Sequence, residues 1–379
     1  MLEYQTTNRF FAQVSTGIEE LAIKELSDFG AKDIVPAYRG IYFGADKATL
    51  YKINYMSQLV TRVLAPLTSF LCHNTPYLYR KAKTIEWSEF LNVDNTFAIF
   101  ANVSNSKIGH SHYAALCLKD AIADYFREKF NKRPNIDTEK PDVWLNLHIE
   151  NNRATINFDT SGGSLHRRGY RKEAVEAPMQ ETLAAAIIKF TEWDGSKPLY
   201  DIMCGSGTLI SEALINYCKV PAGMFRKRFG FELLPDFDKD IWEEVKNEAK
   251  SNSRELPDGM ISGCDISGQA IKYTRNNIRN LPYSDKIKLS ILSFKNIKSL
   301  ENFIIVCNPP YGIRTGEKDE VAELYKDLGD FLKQKCKGAE AYIYFGDREL
   351  ISKIGLKPRW KKPLMNGPLD GRLVRFDMY

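Results

Sequence analysis

The residues best suited to chemistry are four consecutive ones, Asn308, Pro309, Pro310 and Tyr311, which follow the apolar run "FIIVC" at 303–307. The run predicts a buried strand, and in open α/β sheets ligands bind beyond the carboxyl ends of the strands. The two prolines fix two φ angles and remove two N–H donors. They leave the Asn308 side-chain oxygen and the Pro309 carbonyl as a rigid pair of acceptors.

Two acceptors match the two hydrogens of an exocyclic amino group on a planar base. Holding both hydrogens turns the lone pair of the nitrogen toward an electrophile. The Tyr311 ring offers a face on which the base can stack, a contact worth about 1–3 kcal/mol. Catalysis at such a site depends on orientation and needs neither a metal nor a strong base. The alternative, prolines that only stiffen a turn, fits poorly with the apolar strand before them.

A second candidate is the segment "DIMCGSGT" at 201–208, in which Asp201 ends a predicted strand and Gly205 and Gly207 lead into a predicted helix. Glycines at this turn let a ligand approach N–H groups at the positive end of the helix, which predicts an anionic or nucleotide-like ligand. Ile210 stands where a dinucleotide fingerprint has its third glycine or alanine, and no lysine follows as in a P-loop. The pattern argues against NAD and ATP hydrolysis; an ordinary tight turn is the alternative.

Asp265, in "GCDIS" at the end of another predicted strand, is the third candidate. A carboxylate at this place can accept hydrogen bonds from both hydroxyls of a ribose. It lies farther from the glycines than the ~20 residues usual in a dinucleotide fold. We therefore interpret 219–258 as an insertion, a helical excursion whose basic residues could contact substrate. The alternative role of Asp265 is to cap the helix that follows it.

These residues require strands and helices that alternate along the chain. From 179 to 379 the hydrophobic pattern alternates in this way, which predicts a parallel sheet covered on both faces, with an antiparallel hairpin around "NGPLDG" at its far end. Two α+β units precede it, at 1–65 and 66–161. A linker rich in Gly, Ser and positive charge follows them at 162–178.

Composition limits the classes of function. No apolar run approaches the ~20 residues of a membrane span, so we expect a cytoplasmic protein with no membrane partner. The seven cysteines form no CxxC pair and have no histidines at zinc spacing, so no metal site is predicted. The five histidines form no triad with a nucleophile. Only His166, in the linker, stands out, and we expect it to be solvated.

The net charge of +5 does not by itself predict a nucleic-acid partner. Basic residues nevertheless cluster at 80–83, 166–172, 226–228 and 358–362. Each cluster is a candidate for phosphate contacts, and solvated surface charge is the alternative for each.

Together, "DIMCGSGT", "GCDIS" and "CNPPYG" resemble the class I methyltransferases that use S-adenosylmethionine to modify amino nitrogens. With "LHRRGYRKEAVEAPMQETLAAAII" before the glycine loop, the chain more closely resembles the bacterial THUMP-domain guanine-N2 methyltransferases of the 23S ribosomal RNA type. The resemblance covers essentially the whole chain and is strongest from 165 to 379. It implies a Rossmann-like class I methyltransferase domain at 179–379, preceded by a ferredoxin-like domain at 1–65 and a THUMP RNA-binding domain at 66–161.

The resemblance also implies roles for individual residues. The methionine end of the cofactor would lie on Asp201, Cys204, Gly205 and Gly207, and its ribose on Asp265. The site for the base amino group would be Asn308, Pro309, Pro310 and Tyr311, with Asn308 also bordering the cofactor.

Two positions depart from the family pattern. Ile202 replaces a common proline, which we expect to be tolerated. Ser293 stands at the place of an aspartate that usually contacts the adenine amino group. That contact is either weakened or supplied by another residue.

A THUMP domain implies an RNA substrate, so we expect methylation of a guanine in 23S rRNA, with the base extruded into the Asn308 pocket and Arg167, Arg168 and Arg171 on the RNA backbone. A tRNA guanine-N2 methyltransferase has a similar domain order. DNA-adenine and protein-glutamine enzymes share "NPPY", but the N-terminal domains disfavour them. A non-catalytic RNA-binding or assembly protein with a methyltransferase fold is the remaining alternative.

Overall fold

The computed structural model describes residues 2–174, 179–311, 318–367 and 369–379, which form two β-sheets flanked by helices. The last four residues of the predicted linker, 175–178, and the glycine that follows Tyr311 lie outside the described residues. Eight strands come from the N-terminal part of the chain: β1 (Arg9–Gln13), β2 (Lys32–Ala37), β3 (Gly40–Gly44), β4 (Arg62–Leu71), β5 (Thr96–Ser104), β6 (Asn135–Ile136), β7 (Val143–Glu150) and β8 (Arg153–Asp159). Five helices accompany them: α1 (Glu3–Thr7), α2 (Glu19–Asp28), α3 (Lys47–Met56), α4 (Thr75–Lys83) and α5 (Ser111–Phe130).

The N-terminal strands form one sheet in the order β2-β3-β1-β4-β8-β7-β5-β6. Strand β4 pairs with β1 on one side and with β8 on the other, so the two predicted α+β units share a continuous sheet. The predicted boundary between residues 65 and 66 falls inside β4, and it stays a prediction. The predicted hairpin of β7 and β8 is present, and Asn151 and Asn152 adopt the left-handed φ values of 49° and 58° that its tight turn requires.

The second sheet contains seven strands: β9 (Leu199–Asp201), β10 (Ile261–Asp265), β11 (Lys288–Ile291), β12 (Ile304–Cys307), β13 (Glu340–Phe345), β14 (Trp360–Asn366) and β15 (Leu369–Asp377). Its helices are α6 (Glu181–Phe190), α7 (Thr208–Cys218), α8 (Lys239–Ser251), α9 (Gly268–Ile278) and α10 (Lys318–Lys335). The strand order is β11-β10-β9-β12-β13-β15-β14, with the first five strands parallel and the last two forming an antiparallel hairpin. This architecture confirms the predicted fold class.

Strand β12 is buried on both faces, since its four residues are all 5% exposed or less. Burial of this kind explains why the run is continuously apolar rather than alternating. The chain leaves β9 for one half of the sheet and returns at β12 for the other half. A crevice at such a reversal of strand order is the usual ligand site of an open α/β sheet.

The insertion at 219–258 is partly helical, as predicted, and it packs against the N-terminal part of the chain. The Tyr51 ring of α3 stacks on Phe231 with centroids 4.3 Å apart, and Trp242 of α8 meets both rings edge-on. Its aromatic side chains are therefore used to join the two sheets, because they bury apolar area there. Of its basic cluster, Lys227 and Arg228 remain exposed.

Candidate active site

The three sequence candidates meet at the carboxyl ends of three adjacent strands. In the parallel register, Asp201 of β9 lies opposite Val306 of β12 on one side and Gly263 of β10 on the other. Asn308 lies two residues after Val306, and Asp265 lies two residues after Gly263. Neighbouring strands are about 4.8 Å apart. The fold thus places Asp201, Asp265 and Asn308 along one edge of the sheet.

The glycine loop between β9 and α7 has the backbone that its sequence predicts. Gly205 and Gly207 have φ values of 55° and 80°, in the left-handed region that favours glycine. A Cβ atom on Gly207 would lie 2.5 Å from the side chain of Thr274, which itself donates a hydrogen bond to the Gly205 carbonyl at 2.8 Å. Helix α7 begins at Thr208 without a side-chain cap, so its first N–H groups face the site.

Asp265 lies beside the start of α9 but does not cap it, because the N-cap is Ser267, whose hydroxyl accepts from the Ala270 N–H at 3.2 Å. Its Oδ1 accepts a hydrogen bond from the N–H of Ser267, the residue before α9, at 2.9 Å, and its Oδ2 accepts one from the N–H of Gly205 at 2.9 Å. The carboxylate therefore joins the glycine loop to the start of α9. A carboxylate has about four acceptor positions, so two remain for hydroxyl groups of a ligand.

Asp201 is 1% exposed and, within the described part of the chain, its carboxylate accepts one hydrogen bond, from the Met203 N–H at 3.3 Å. Burial raises the pKa of its carboxyl to about 8. A cationic ligand group would favour the ionised form. Cys204 is also buried, with its Sγ 3.8 Å from Thr274 Oγ1, and burial raises the pKa of the thiol.

The side chains of Asn308 and Tyr311 are in direct contact. Asn308 and Tyr311 are half-buried, Pro309 is buried and Pro310 is exposed. The Tyr311 hydroxyl donates a hydrogen bond to Asn308 Oδ1. The Tyr311 ring packs against the backbone of Gly346, where a Cβ atom would lie 2.5 Å from it. Burial raises the pKa of this tyrosine, so its hydroxyl stays protonated and acts as a donor.

Asn277 of α9 is a residue that the sequence analysis missed. It is 1% exposed, and its Oδ1 accepts hydrogen bonds from the N–H groups of Lys172 and Glu173 at 2.8 and 3.0 Å. Its Nδ2 donates to the carbonyls of Glu173 and Ser206 at 2.8 and 3.0 Å. The side chain thus ties the linker to the glycine loop. No sequence pattern distinguishes this asparagine from any other inside a helix, so its contacts could not be predicted from the sequence.

The three arginines expected to contact RNA lie in different environments in the structure. Arg167 is exposed. Arg168 is 1% exposed, donates to the carbonyls of residues 57, 58 and 165, and lies 3.5 Å from the carboxylate of Glu212. The assignment of Arg168 to the RNA backbone is therefore wrong, because a buried guanidinium cannot reach a phosphate.

Arg171 holds the linker against the start of α7. Its Nη2 donates to the Met179 carbonyl at 2.7 Å and to Thr208 Oγ1 at 2.9 Å, and Nη1 lies 3.6 Å from Glu181. These contacts leave little of the Arg171 guanidinium available to bind RNA phosphates. His166 is not solvated as expected: its Nδ1 lies 2.6 Å from Ser164 Oγ, and burial, with the neighbouring arginines, lowers its pKa to about 4.

Two further findings concern metal binding and membrane-spanning helices. Across the described part of the chain, no group of three or more His, Cys, Asp or Glu side chains is placed to hold a metal ion. Within the same residues, no helix is both long and apolar enough to cross a bilayer.

Three family models match the chain. A model described as the RMKL-like methyltransferase domain matches residues 168–375, a THUMP domain model matches 72–159, and a model of the RlmL ferredoxin-like domain matches 9–64. The three matches follow the predicted order of domains, and the methyltransferase match begins at 168, inside the predicted linker.

Curated relatives match over the same length. A Synechocystis sp. protein, provisionally named an RNA methyltransferase, is 36% identical over 99% of this chain and 98% of its own. A ribosomal RNA large subunit methyltransferase K/L of Syntrophotalea carbinolica is 37% identical over 98% of this chain. The chain spans only 53% of that relative, about half its length. Among solved structures, a provisionally assigned methyltransferase crystallised with S-adenosylhomocysteine superimposes with a TM-score of 0.85 at 28% identity, covering 98% of both chains.

Proposed function

The chain belongs to the RMKL-like methyltransferase family, and from this premise we propose that it transfers the methyl group of S-adenosylmethionine to the exocyclic N2 amine of a guanine in 23S ribosomal RNA. The observation that carries the proposal is the convergence of the glycine loop, Asp265 and Asn308 at one edge of the sheet. This arrangement supports a nucleotide site next to a site for an amino group. A ribosomal RNA substrate would place the reaction in the cytoplasm.

The residues at the glycine loop fit S-adenosylmethionine. Asp201 is a buried carboxylate with one backbone donor, so it can accept a hydrogen bond from the ammonium group of the methionine end. Gly205 and Gly207 carry no Cβ, and the N–H groups at the start of α7, which no described side chain caps, can receive the methionine carboxylate. Asp265 can accept hydrogen bonds from the ribose hydroxyls.

Fewer residues are placed to contact the adenine end of S-adenosylmethionine. Ile266, which follows Asp265, is 76% exposed and offers an apolar side chain for the adenine ring. Ser293 Oγ accepts a hydrogen bond from the N–H of Lys295 at 3.4 Å, and its hydroxyl can still donate to the ring. Bound in this way, the cofactor supplies an electrophilic methyl group on a sulfonium.

Asn308 and Pro309 orient the nucleophile. The Asn308 Oδ1 and the Pro309 carbonyl accept the two N2 hydrogens of guanine, which turns the nitrogen lone pair toward the methyl group. The nitrogen bonds to the methyl carbon as the bond from that carbon to sulfur breaks, and N2 then loses one proton to water. The Tyr311 hydroxyl already occupies one of the two lone pairs of Asn308 Oδ1, so it competes with the N2 hydrogen for this oxygen and shifts or leaves as the base enters.

The N-terminal sheet would hold the RNA through phosphates and shape, with Arg167 as the linker arginine available at the surface. The target guanine would leave its stack to enter the site, which costs a few kcal/mol and is easiest for an unpaired base.

Nucleoside mass spectrometry of rRNA and tRNA from cells lacking this chain tests the substrate. We expect N2-methylguanosine to disappear from the large rRNA and to return when the parent chain, but not an Asn308→Ala chain, is supplied. Loss confined to tRNA would contradict the rRNA assignment and favour a tRNA guanine-N2 methyltransferase. Calorimetry tests the cofactor: an absence of saturable S-adenosylmethionine binding would instead support a non-catalytic RNA-binding role.

A further inference from the structure

A surface cavity of about 400 Å³ separates the THUMP segment from the insertion, and the active site does not use it. Its walls come from three parts of the chain: residues 140–142 before β7, Gly162 after β8, and residues 226–230 of the insertion. Four of the lining side chains are cationic, namely Lys140, Arg226, Lys227 and Arg228, and one, Asp142, is anionic. The cavity therefore carries an excess of positive charge.

The anionic side chain is already paired. Asp142 Oδ2 accepts hydrogen bonds from the N–H and the hydroxyl of Thr96 at 2.8 and 3.1 Å, and Oδ1 lies 3.4 Å from Arg228 Nη2. Together these bonds hold the pKa of the Asp142 carboxyl below its usual value, and the bond from the Thr96 N–H contributes most. Asp142 consequently stays ionised and engaged.

Arg226 is engaged as well and makes one wall rigid. Its guanidinium donates to the four carbonyls of residues 161–164 at 2.8 to 3.2 Å. By contrast, Lys140 and Lys227 are exposed, and neither has an ion-pair partner among the described residues. Two free ammonium groups thus face a cavity whose other charges are already paired.

The surroundings add to the positive potential. The pKa of His166 is lowered to about 4, first by burial and then by the nearby linker arginines and Arg62. Burial also lowers the pKa of Arg226. The Asp159 carboxylate, which pairs with Arg62, opposes this effect, whereas Arg168, Arg62 and Arg167 add to it. An anion near these groups relieves repulsion among cations that the fold holds close together.

An aromatic side chain lies next to the cavity. A Cβ atom on Gly163 would be 3.1 Å from Trp144 Nε1 and 3.9 Å from the Arg226 guanidinium, so indole and guanidinium approach the same backbone. The Arg62 guanidinium lies 4.8 Å from the Trp144 ring centroid and 4.4 Å from that of Phe100, which fixes the indole. Trp144 is nevertheless only half-buried, so part of its surface is open to a ligand.

We propose that this cavity binds one phosphodiester of RNA between Lys140 and Lys227, and that the Trp144 indole stacks with a base of the same strand. The inference rests on the proposed function, because it specifies how the RNA substrate is held. Single-stranded nucleic acids bind proteins through this pairing of a cationic groove with an aromatic surface. The strand would then contact the N-terminal sheet, the linker and the insertion together.

The double variant Lys140→Ala/Lys227→Ala tests the phosphate site. Fluorescence anisotropy with a single-stranded RNA of about 12 nucleotides, within the usual site sizes of roughly 4–16, gives affinity as a function of salt. We expect the affinity to fall and the slope of log K against log salt to become shallower by about 0.7, the value for one phosphate on a single strand. The control is Lys353→Ala/Lys357→Ala, which removes two exposed lysines that do not line the cavity.

The variant Trp144→Phe tests the stack without removing an aromatic side chain. Quenching of tryptophan fluorescence by RNA is expected in the parent and should be largely lost in the variant, while S-adenosylmethionine binding and the melting temperature stay at parent values. A parent that binds no RNA would overturn the proposed function and the cavity with it. A parent that binds RNA, with a double variant equal to it in affinity and slope or with quenching retained in Trp144→Phe, would overturn the cavity alone.

Discussion

The Tyr311 hydroxyl donates a hydrogen bond to the side-chain oxygen of Asn308, three residues before it. In the proposed reaction that same oxygen accepts a hydrogen of the guanine N2 amine. The tyrosine therefore occupies one of the two acceptor positions of this oxygen when no RNA is bound. Among the described residues, it is the donor that satisfies this half-buried acceptor.

Replacing Tyr311 separates its hydroxyl from its ring. Tyr311→Phe removes the competing donor and keeps the surface for stacking, so we expect an unchanged or lower KM for RNA and a kcat within a few-fold of the parent. Tyr311→Ala also removes the stack, worth about 1–3 kcal/mol, so kcat/KM should fall by roughly 5- to 150-fold. Steady-state methyl transfer to rRNA measures both. Equal losses in the two variants would show that the hydroxyl itself takes part in the reaction.

Asn308→Ala removes one of the two acceptors that orient the nucleophile. Because one lost positioning group costs on the order of 100-fold or more in rate, kcat should fall by at least that factor. Calorimetry should find S-adenosylmethionine affinity close to the parent value. Asn308→Asp keeps an acceptor oxygen at this position and should lose less activity than Asn308→Ala. An alanine variant as fast as the parent would refute the proposed reaction centre.

Local patterns were enough to predict the second sheet and the family resemblance, both of which are confirmed. The buried run of β12 and the apolar face of α10 are visible as short-range periodicity, and the Asn151–Asn152 turn as a pair of residues that tolerate positive φ. These signals lie within one element. The positions of Asp265 and Asn308 at strand ends then followed from the fold.

Contacts between distant parts of the chain could not be predicted in this way. A linear pattern shows that "HRRGYRK" is basic, but it does not show that Arg168 turns inward to Glu212, which is 44 positions further along. The shared strand β4 depends on long-range pairing with β8 for the same reason. Asn277 likewise becomes informative only when residues 172, 173 and 206 lie around it.

Arg167 and Arg168 are chain neighbours with opposite expected effects. Burial already raises the pKa of Glu212 to about 7. Arg168→Ala removes its neighbouring cation and leaves the carbonyls of residues 57, 58 and 165 without their donor, which should destabilise the fold by about 3–5 kcal/mol. Arg167→Ala changes an exposed side chain and should alter stability by less than about 0.5 kcal/mol. Only Arg167→Ala should make the salt dependence of RNA binding shallower with stability intact. Urea unfolding and anisotropy measure the two effects, and a stable Arg168→Ala protein would contradict the buried pairing.

Asn277 and its neighbour Asn276 form a matched pair for testing the linker contact. Asn277→Ala removes hydrogen bonds to Lys172, Glu173 and Ser206, and the buried Ser206 carbonyl, left unpaired, costs about 1–3 kcal/mol. The glycine loop should loosen, so S-adenosylmethionine affinity should fall with thermal stability. Asn276→Ala removes one bond, to the Glu173 carboxylate at 3.1 Å, and should change both far less. Calorimetry and melting curves compare them, and equal behaviour would exclude a positioning role for Asn277.

The raised pKa of Asp201, about 8 because of burial, predicts proton release when the cofactor binds. An unfolded aspartate has a pKa of about 3.9, so the folded protein holds this proton more tightly. The contribution of Asp201 to stability is accordingly greatest at low pH and declines as pH rises from about 4 to 8. Near pH 7 the carboxyl is mostly protonated, and pairing with the ammonium group of S-adenosylmethionine requires it to ionise.

Cofactor affinity should therefore increase with pH between about 6 and 7.5, a range in which an α-amino group remains largely protonated. Calorimetry in two buffers that differ in ionisation enthalpy counts the protons released. Asp201→Asn should bind more weakly at pH 7.5, release no proton at this site and lose the pH dependence. If the parent releases no more protons than Asp201→Asn, then Asp201 is already ionised before binding, and its burial is offset by a group other than the cofactor.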